Sequence, residues 1–145
     1  MLDQTFGQVY TKFKLHFYKQ IFNRFEDREA TLTTVESFCM EVIMALGEPT
    51  IAQFSHMMNL STPNAAYKIN SLVKKGYVER SRGLEDRRVV YISLSERGRK
   101  AYGHHARFHR EMIESLTSDL SEDEMQTLVK ALMKLNQWFR SKDGQ

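Results

Sequence analysis

The sequence predicts a mainly α-helical chain with one small β-hairpin set between helices. Three observations predict it. Apolar residues recur at three- and four-residue intervals over most of the 145 residues. Two Ser/Thr-x-x-Glu boxes mark helix starts. One stretch, Val89 to Leu94, alternates with period two instead, as a half-buried strand does.

Residues 4–26 read as the first helix. Phe6, Val9, Tyr10, Phe13, Phe17 and Ile21 form one stripe, and Leu15, Tyr18, Phe22 and Phe25 form a second. A helix apolar on most sides must be buried on most sides. In a chain of this size a partner subunit is the expected cover. Thr33 and Glu36 form a capping box for a helix whose stripe is Val35, Phe38, Cys39, Val42, Ile43 and Leu46, with Gly47 as its stop. Thr50 to Met58 is a short helix with Ile51, Phe54 and Met57 or Met58 inward. Asn59-Leu60 makes a turn, Ser61 caps a helix to about Lys75, and Gly76 ends it. Helix, tight turn, helix is a helix-turn-helix.

Tyr77 to Arg82 is strand-like, a charged loop runs from Gly83 to Arg88, and Val89 to Leu94 returns with Val90, Ile92 and Leu94 on one face. Ser95 caps a long helix to about Ser118, striped by Tyr102, His105, Phe108, Met112 and Leu116. Ser121 and Glu124 form the second capping box, with Leu120 and Met125 as its hydrophobic staple. Met125, Leu128, Val129, Leu132, Leu135, Trp138 and Phe139 line the last helix.

The length fits a single domain, residues 1–145, able to bury a core. No apolar run reaches the roughly 18–20 residues of a membrane span, and MLDQTFGQVY lacks the order of a signal peptide. With Cys39 alone there is no intrachain disulfide, which fits a reducing cytoplasm. No phosphate-binding glycine loop, Gly-x-Ser-x-Gly or His-Glu-x-x-His motif is present, so neither an enzyme nor a cofactor is expected.

Net charge is only +3, but it is unevenly spread. Lys68 to Lys100 holds ten Lys/Arg against four Asp/Glu, a net +6. The remainder holds eleven against fourteen, a net −3. A basic middle third suits a polyanion. A helix-turn-helix followed at once by a basic hairpin is a winged helix. Its second helix fits the major groove, and its hairpin can carry arginine into the minor groove. With Ile69 as the core direction and 100° per residue, Thr62, Ala65, Ala66, Leu72 and Val73 face inward. Pro63, Asn64, Tyr67, Ser71 and Lys74 face outward, with Lys68 on the flank. Asn64, Tyr67, Lys68 and Ser71 are expected in the major groove and Thr62 near the backbone at the helix start. Arg88 is expected in the minor groove, oriented by a salt bridge from Asp86. Arg87, Lys74 and Arg82 are expected on phosphates. A winged helix serving only as a protein-interaction module is the alternative, and the charge of the Arg82-to-Arg88 wing argues against it.

The run Asp86-Arg87-Arg88-Val89, then Ile92-Ser93-Leu94-Ser95 and Gly98, resembles the wing and following helix start of the multiple-antibiotic-resistance regulator (MarR) family. Leu72 to Arg80 resembles the end of that family's recognition helix. The resemblance covers nearly the whole chain in element order. It implies a homodimeric winged-helix transcription factor, most often a repressor of nearby genes. Residues 33–95 would form the DNA-binding region, and 1–30 and 96–145 the dimerisation helices. A pseudo-palindromic operator follows from the two-fold symmetry. Many members place Thr-Arg where this chain has Ala66-Tyr67, so its base-reading set differs.

Residues 102–109 look closest to the fatty-acid-biosynthesis repressor branch of the family, whose effector is an acyl chain on acyl carrier protein. Members often sense ligands in a crevice between the dimer helices and the winged helix. Here Phe13, Phe17, Phe38, Val42, His105 and Phe108 would line it, and plain core is the competing reading of each. A redox role for Cys39 is disfavoured by its place on an apolar stripe. His105 and His109 stand at i, i+4 and could share a metal, but they need further ligands. Cys39, Glu26, Glu29 and Glu36 lack convincing spacing for that.

Overall fold

In the structure, a computed structural model, residues 1–23, 31–102 and 104–143 are described, with backbone alone at 102 and 104–106. The elements are α1 (Leu2–Asn23), α2 (Thr34–Leu46), α3 (Ile51–Met57), α4 (Thr62–Lys74), β1 (Val78–Arg82), β2 (Val90–Leu94), α5 (Glu96–Tyr102), α6 (His104–Asp119) and α7 (Glu122–Lys142). The fold is mainly helical with one antiparallel hairpin, as the sequence predicts. The chain forms two compact units, Met1–Ala101 and Tyr102–Gln145. The helix expected from Ser95 to about Ser118 is described as α5 and α6 on either side of Gly103, which lies outside the described residues. Phe25, Glu26 and Glu29 also lie outside them.

The first unit holds the core. Ile21, Cys39, Met40, Ile43, Phe54, Ala65, Ile69, Leu72, Tyr77, Val78, Ile92 and Leu94 are buried there. Each large side chain among them contributes about 1.5–3 kcal/mol of burial. The capping box of α2 forms on both sides: Glu36 N–H donates to Thr33 Oγ1 and Thr33 N–H to Glu36 Oε2. A second box, unforeseen, starts α3, where Thr50 and Gln53 exchange the same pair of bonds.

The stripe expected on α2 is rotated. Its buried residues are Glu36, Ser37, Cys39, Met40, Glu41 and Ile43, while Val35, Phe38 and Leu46 are exposed. The 100° step explains this: Val35, Phe38, Val42 and Leu46 share one face, and Cys39 and Ile43 lie between that face and the core side. Two apolar faces abut on α2, and this unit buries only one. On α1 the same happens more strongly. Ile21 is its only fully buried residue, and Phe6, Val9, Tyr10, Phe13, Leu15, Tyr18 and Phe22 are exposed.

The hairpin pairs Val78 with Leu94, Arg80 with Ile92 and Arg82 with Val90. Its base is tied down by Ile92 N–H donating to Pro49 O at 2.9 Å and by an isolated bridge between Thr50 and Tyr91. In the second unit α7 starts at the expected Ser121–Glu124 capping box. Leu120, Met125, Leu128 and Leu135 are half-buried. Val129, Leu132, Met133, Trp138 and Phe139 are exposed.

Candidate nucleic-acid interface

The turn between α3 and α4 is built by short polar side chains. Asn59 takes a left-handed φ of 51°, which Asn tolerates better than most residues. Ser55 Oγ donates to Leu60 O at 2.7 Å and Leu60 N–H to Ser55 O at 3.0 Å. Ser61 then caps α4, accepting from Asn64 N–H. At the other end Gly76, at φ 81°, closes a Schellman motif in which Tyr77 N–H reaches Leu72 O and Gly76 N–H reaches Val73 O.

The C-terminal half of α4 is stapled to α2 through Glu36, which is 7% exposed. Its carboxylate accepts from Lys75 Nζ at 2.7 Å and from Ser71 Oγ at 2.7 Å, and Lys75 also donates to Thr31 O at 2.9 Å. Burial alone would raise the Glu36 pKa. The Lys75, Ser71 and Thr33 hydrogen bonds and the Lys75 charge outweigh it and hold the carboxyl at about 2. Behind this staple, Arg97 stacks on the Tyr77 ring at 4.5 Å and donates to Lys75 O at 2.8 Å. Ser95 Oγ donates to Gly76 O, and it caps α5 by accepting from Gly98 N–H. A Cβ at position 98 would meet Tyr77 O at 2.3 Å, so only glycine allows this close approach.

At the hairpin end, residues 83–89 form the tip. Gly83 N–H donates to Val89 O and Val89 N–H to Asp86 O. The ion pair expected between Asp86 and Arg88 is formed, and it is bidentate. Arg88 Nε meets Oδ1 and Nη2 meets Oδ2, both at 3.1 Å, while Arg88 N–H also donates to Oδ1 at 3.0 Å. These bonds hold the Asp86 carboxyl below its ordinary value and Arg88 above its own. Arg88 nevertheless stays almost wholly open to solvent. The pair adds little stability at such exposure; it aims the guanidinium.

Thr62, Pro63, Asn64, Tyr67 and Lys74 are exposed on α4, Tyr67 at 75%, and Arg82, Arg87 and Arg88 are exposed on the hairpin. Lys68 is half-buried, as its flank position implies. Ser71 departs from its expected outward place: it is half-buried and its hydroxyl is given to Glu36. The reason is geometric. The buried residues of α4 centre between Ala65, Ile69 and Leu72, a direction turned roughly 30° from Ile69 itself. From that direction Ser71 and Asn70 stand about equally far, roughly 130° on opposite flanks, and on its flank Ser71 is drawn in by Glu36. Asn70 and Arg80, whose side chains touch, were not legible as site residues. Averaging the wheel over Ala65, Ile69 and Leu72 would have revealed Asn70.

Of the expected effector crevice, Phe17 and Phe38 are brought together, rings tilted and 6.0 Å apart. Phe13 is exposed and Val42 half-buried. Phe108 belongs to the second unit, and the side chain of His105 lies outside the described residues. Cys39 is fully buried, and desolvation raises its pKa, the reverse of a reactive thiol. Among the described residues no group of three or more His, Cys, Asp or Glu is placed to hold a metal. His109 is exposed. No helix of the described residues is long and apolar enough to cross a membrane.

Residues 20–104 match the family model of the transcriptional regulator SarA/Rot. The helix-turn-helix-type transcriptional regulator YwhA of Bacillus subtilis is 31% identical over 106 residues, 73% of this chain and 76% of YwhA. Among solved structures, Streptococcus pneumoniae FabT in complex with DNA superposes with a TM-score of 0.64 at 27% identity, covering 97% of this chain and 99% of FabT. MepR of Staphylococcus aureus, bound to an oligodeoxyribonucleotide, superposes at 0.53 and 18% identity, covering 92% and 97%. At that identity it shows the shared fold.

Proposed function

Because the chain belongs to the SarA/Rot family of transcriptional regulators, winged-helix proteins of the MarR type, we propose that it acts in the cytoplasm as a homodimeric repressor on a pseudo-palindromic operator. Residues 1–145 serve as one regulator domain. Residues 33–95 hold the DNA, and residues 1–30 and 96–145 join the subunits. The family is one of DNA-binding regulators and not an enzyme class.

The observation that carries the reading is the Asp86–Arg88 pair: an acid clamps an arginine in place at an exposed hairpin tip, in the unit whose α4 presents an exposed polar face. Asn64, Tyr67 and Lys68 enter the major groove, with Thr62 and Pro63 at the phosphate backbone. Arg88 enters the minor groove, and Lys74, Arg82 and Arg87 meet phosphates. The exposed apolar faces of α1 and α7 support the dimer, since a monomer rarely leaves so much contiguous apolar surface in water. The likeness to FabT in its DNA complex supports the partner.

Enrichment of bound duplexes from a randomised DNA pool tests this. The expected product is an inverted repeat with half-site centres about 10 base pairs apart. A pool that stays random, or a single unrepeated site, contradicts it. For the effector we propose an acyl chain presented on acyl carrier protein. The resemblance of residues 102–109 and the apolar ring pair Phe17–Phe38 support it. Long-chain acyl carrier protein should then change operator affinity and metal ions should not; the opposite pattern favours a metal-responsive regulator.

A further inference from the structure

We propose that Asn70 reads a base, and that Arg80 restricts it to donating, so that it selects a base whose major-groove edge offers acceptors. The proposal rests on the DNA-binding reading above. Asn70 is exposed and shares a stripe with Pro63, Tyr67 and Lys74, seven, three and four residues away. That stripe is the outermost face of α4, the face that meets base edges if α4 lies in the groove.

The Asn70 amide turns its oxygen toward Arg80. Arg80 Nη2 donates to Asn70 Oδ1. Arginine carries donors only, so the amide atom against it is the oxygen. The planar amide then directs its NH2 group away from Arg80. Arg80 is held there by the hairpin register. It pairs with Ile92 and follows Val78 by two residues, so it stands on the ribbon face of the buried Val78, Ile92 and Leu94, on the strand that lies against α4.

The chemistry follows from the donor count. An unrestrained asparagine prefers adenine, donating to N7 while its oxygen accepts from the N6 amino group. Here the oxygen already accepts from a guanidinium, whose charge strengthens that bond. Adenine would have to share it. Guanine, with acceptors at N7 and O6, needs only the NH2 group. Asn70 therefore favours guanine over adenine, and Arg80 is the positioning residue that sets this preference.

Competition titrations at fixed salt against single-base variants of the selected site test it. For the wild type one position should prefer guanine over adenine by about tenfold. Asn70→Leu, of matching shape but without hydrogen bonds, should erase the preference there and leave other positions unchanged. Arg80→Met should bring adenine to within about threefold of guanine at that same position. The proposal is overturned if both variants weaken all sequences evenly, as a phosphate contact would. It is also overturned if Arg80→Met leaves the preference intact. Thermal melting accompanies each variant, and Asn70→Ala repeats the comparison should Asn70→Leu melt lower. A wild type that selects no sequence sinks the DNA-binding reading itself, and is distinct from a selective wild type whose preference ignores Asn70.

Discussion

On the proposed DNA surface Asp86 is a negative charge facing a polyanion, and its geometry gives it a role there. An arginine on an exposed tip loses rotamer freedom when it binds, at about 1–2 kcal/mol for a long side chain. Two guanidinium hydrogen bonds from Arg88 to one carboxylate remove part of that loss in advance, and the Arg88 backbone N–H holds the carboxylate in place. Asp86→Ala should therefore weaken operator binding several-fold, although simple charge counting says it should tighten; tighter binding in a fluorescence-anisotropy titration would show that Asp86 has no orienting role. The pair was legible in the sequence because Asp86 and Arg88 are two residues apart. Ser71 and Asn70 were not, because a helical wheel anchored on one core residue is wrong by as much as that residue is off-centre. The partner that draws Ser71 inward, Glu36, is 35 residues away.

At the scale of elements, the capping boxes at Thr33 and Ser121, Gly76 and the period-two strand were readable because each is a local rule. The division of α2 was not. Its sequence presents two adjoining apolar faces, and only packing decides which one the unit buries. The Glu36 staple is likewise nonlocal, joining the start of α2 to the end of α4. Its effect on stability has a definite sign. The Glu36 carboxyl falls from 4.5 to about 2 on folding, so its contribution is full above pH 4.5 and is lost as pH falls through about 2. Glu36→Gln should cost about 1–3 kcal/mol near neutral pH. It should also flatten the fall of melting temperature between pH 4.5 and 2, and a variant with the wild-type acid profile would remove the staple from the account. Operator affinity should drop with it, since α4 loses its anchor to α2.

For the whole molecule, the charge map and the apolar surfaces divide the labour. The net +6 of residues 68–100 lies on α4, the hairpin and α5, and the exposed apolar side chains lie mostly on α1 and α7. The sequence made the second of these visible through the two stripes of α1. Sedimentation equilibrium at micromolar concentration should find a dimer, and a stable monomer would leave the faces of α1 and α7 without a purpose.

DNA recognition by this chain depends most directly on the proposed reach of the wing into the minor groove. The measurement is the dissociation constant of wild type and Arg88→Ala for the selected operator at several salt concentrations. Loss of one aimed cation should weaken binding tenfold or more and lower the slope of log affinity against log salt by about one. An unchanged dissociation constant with an unchanged slope would contradict it.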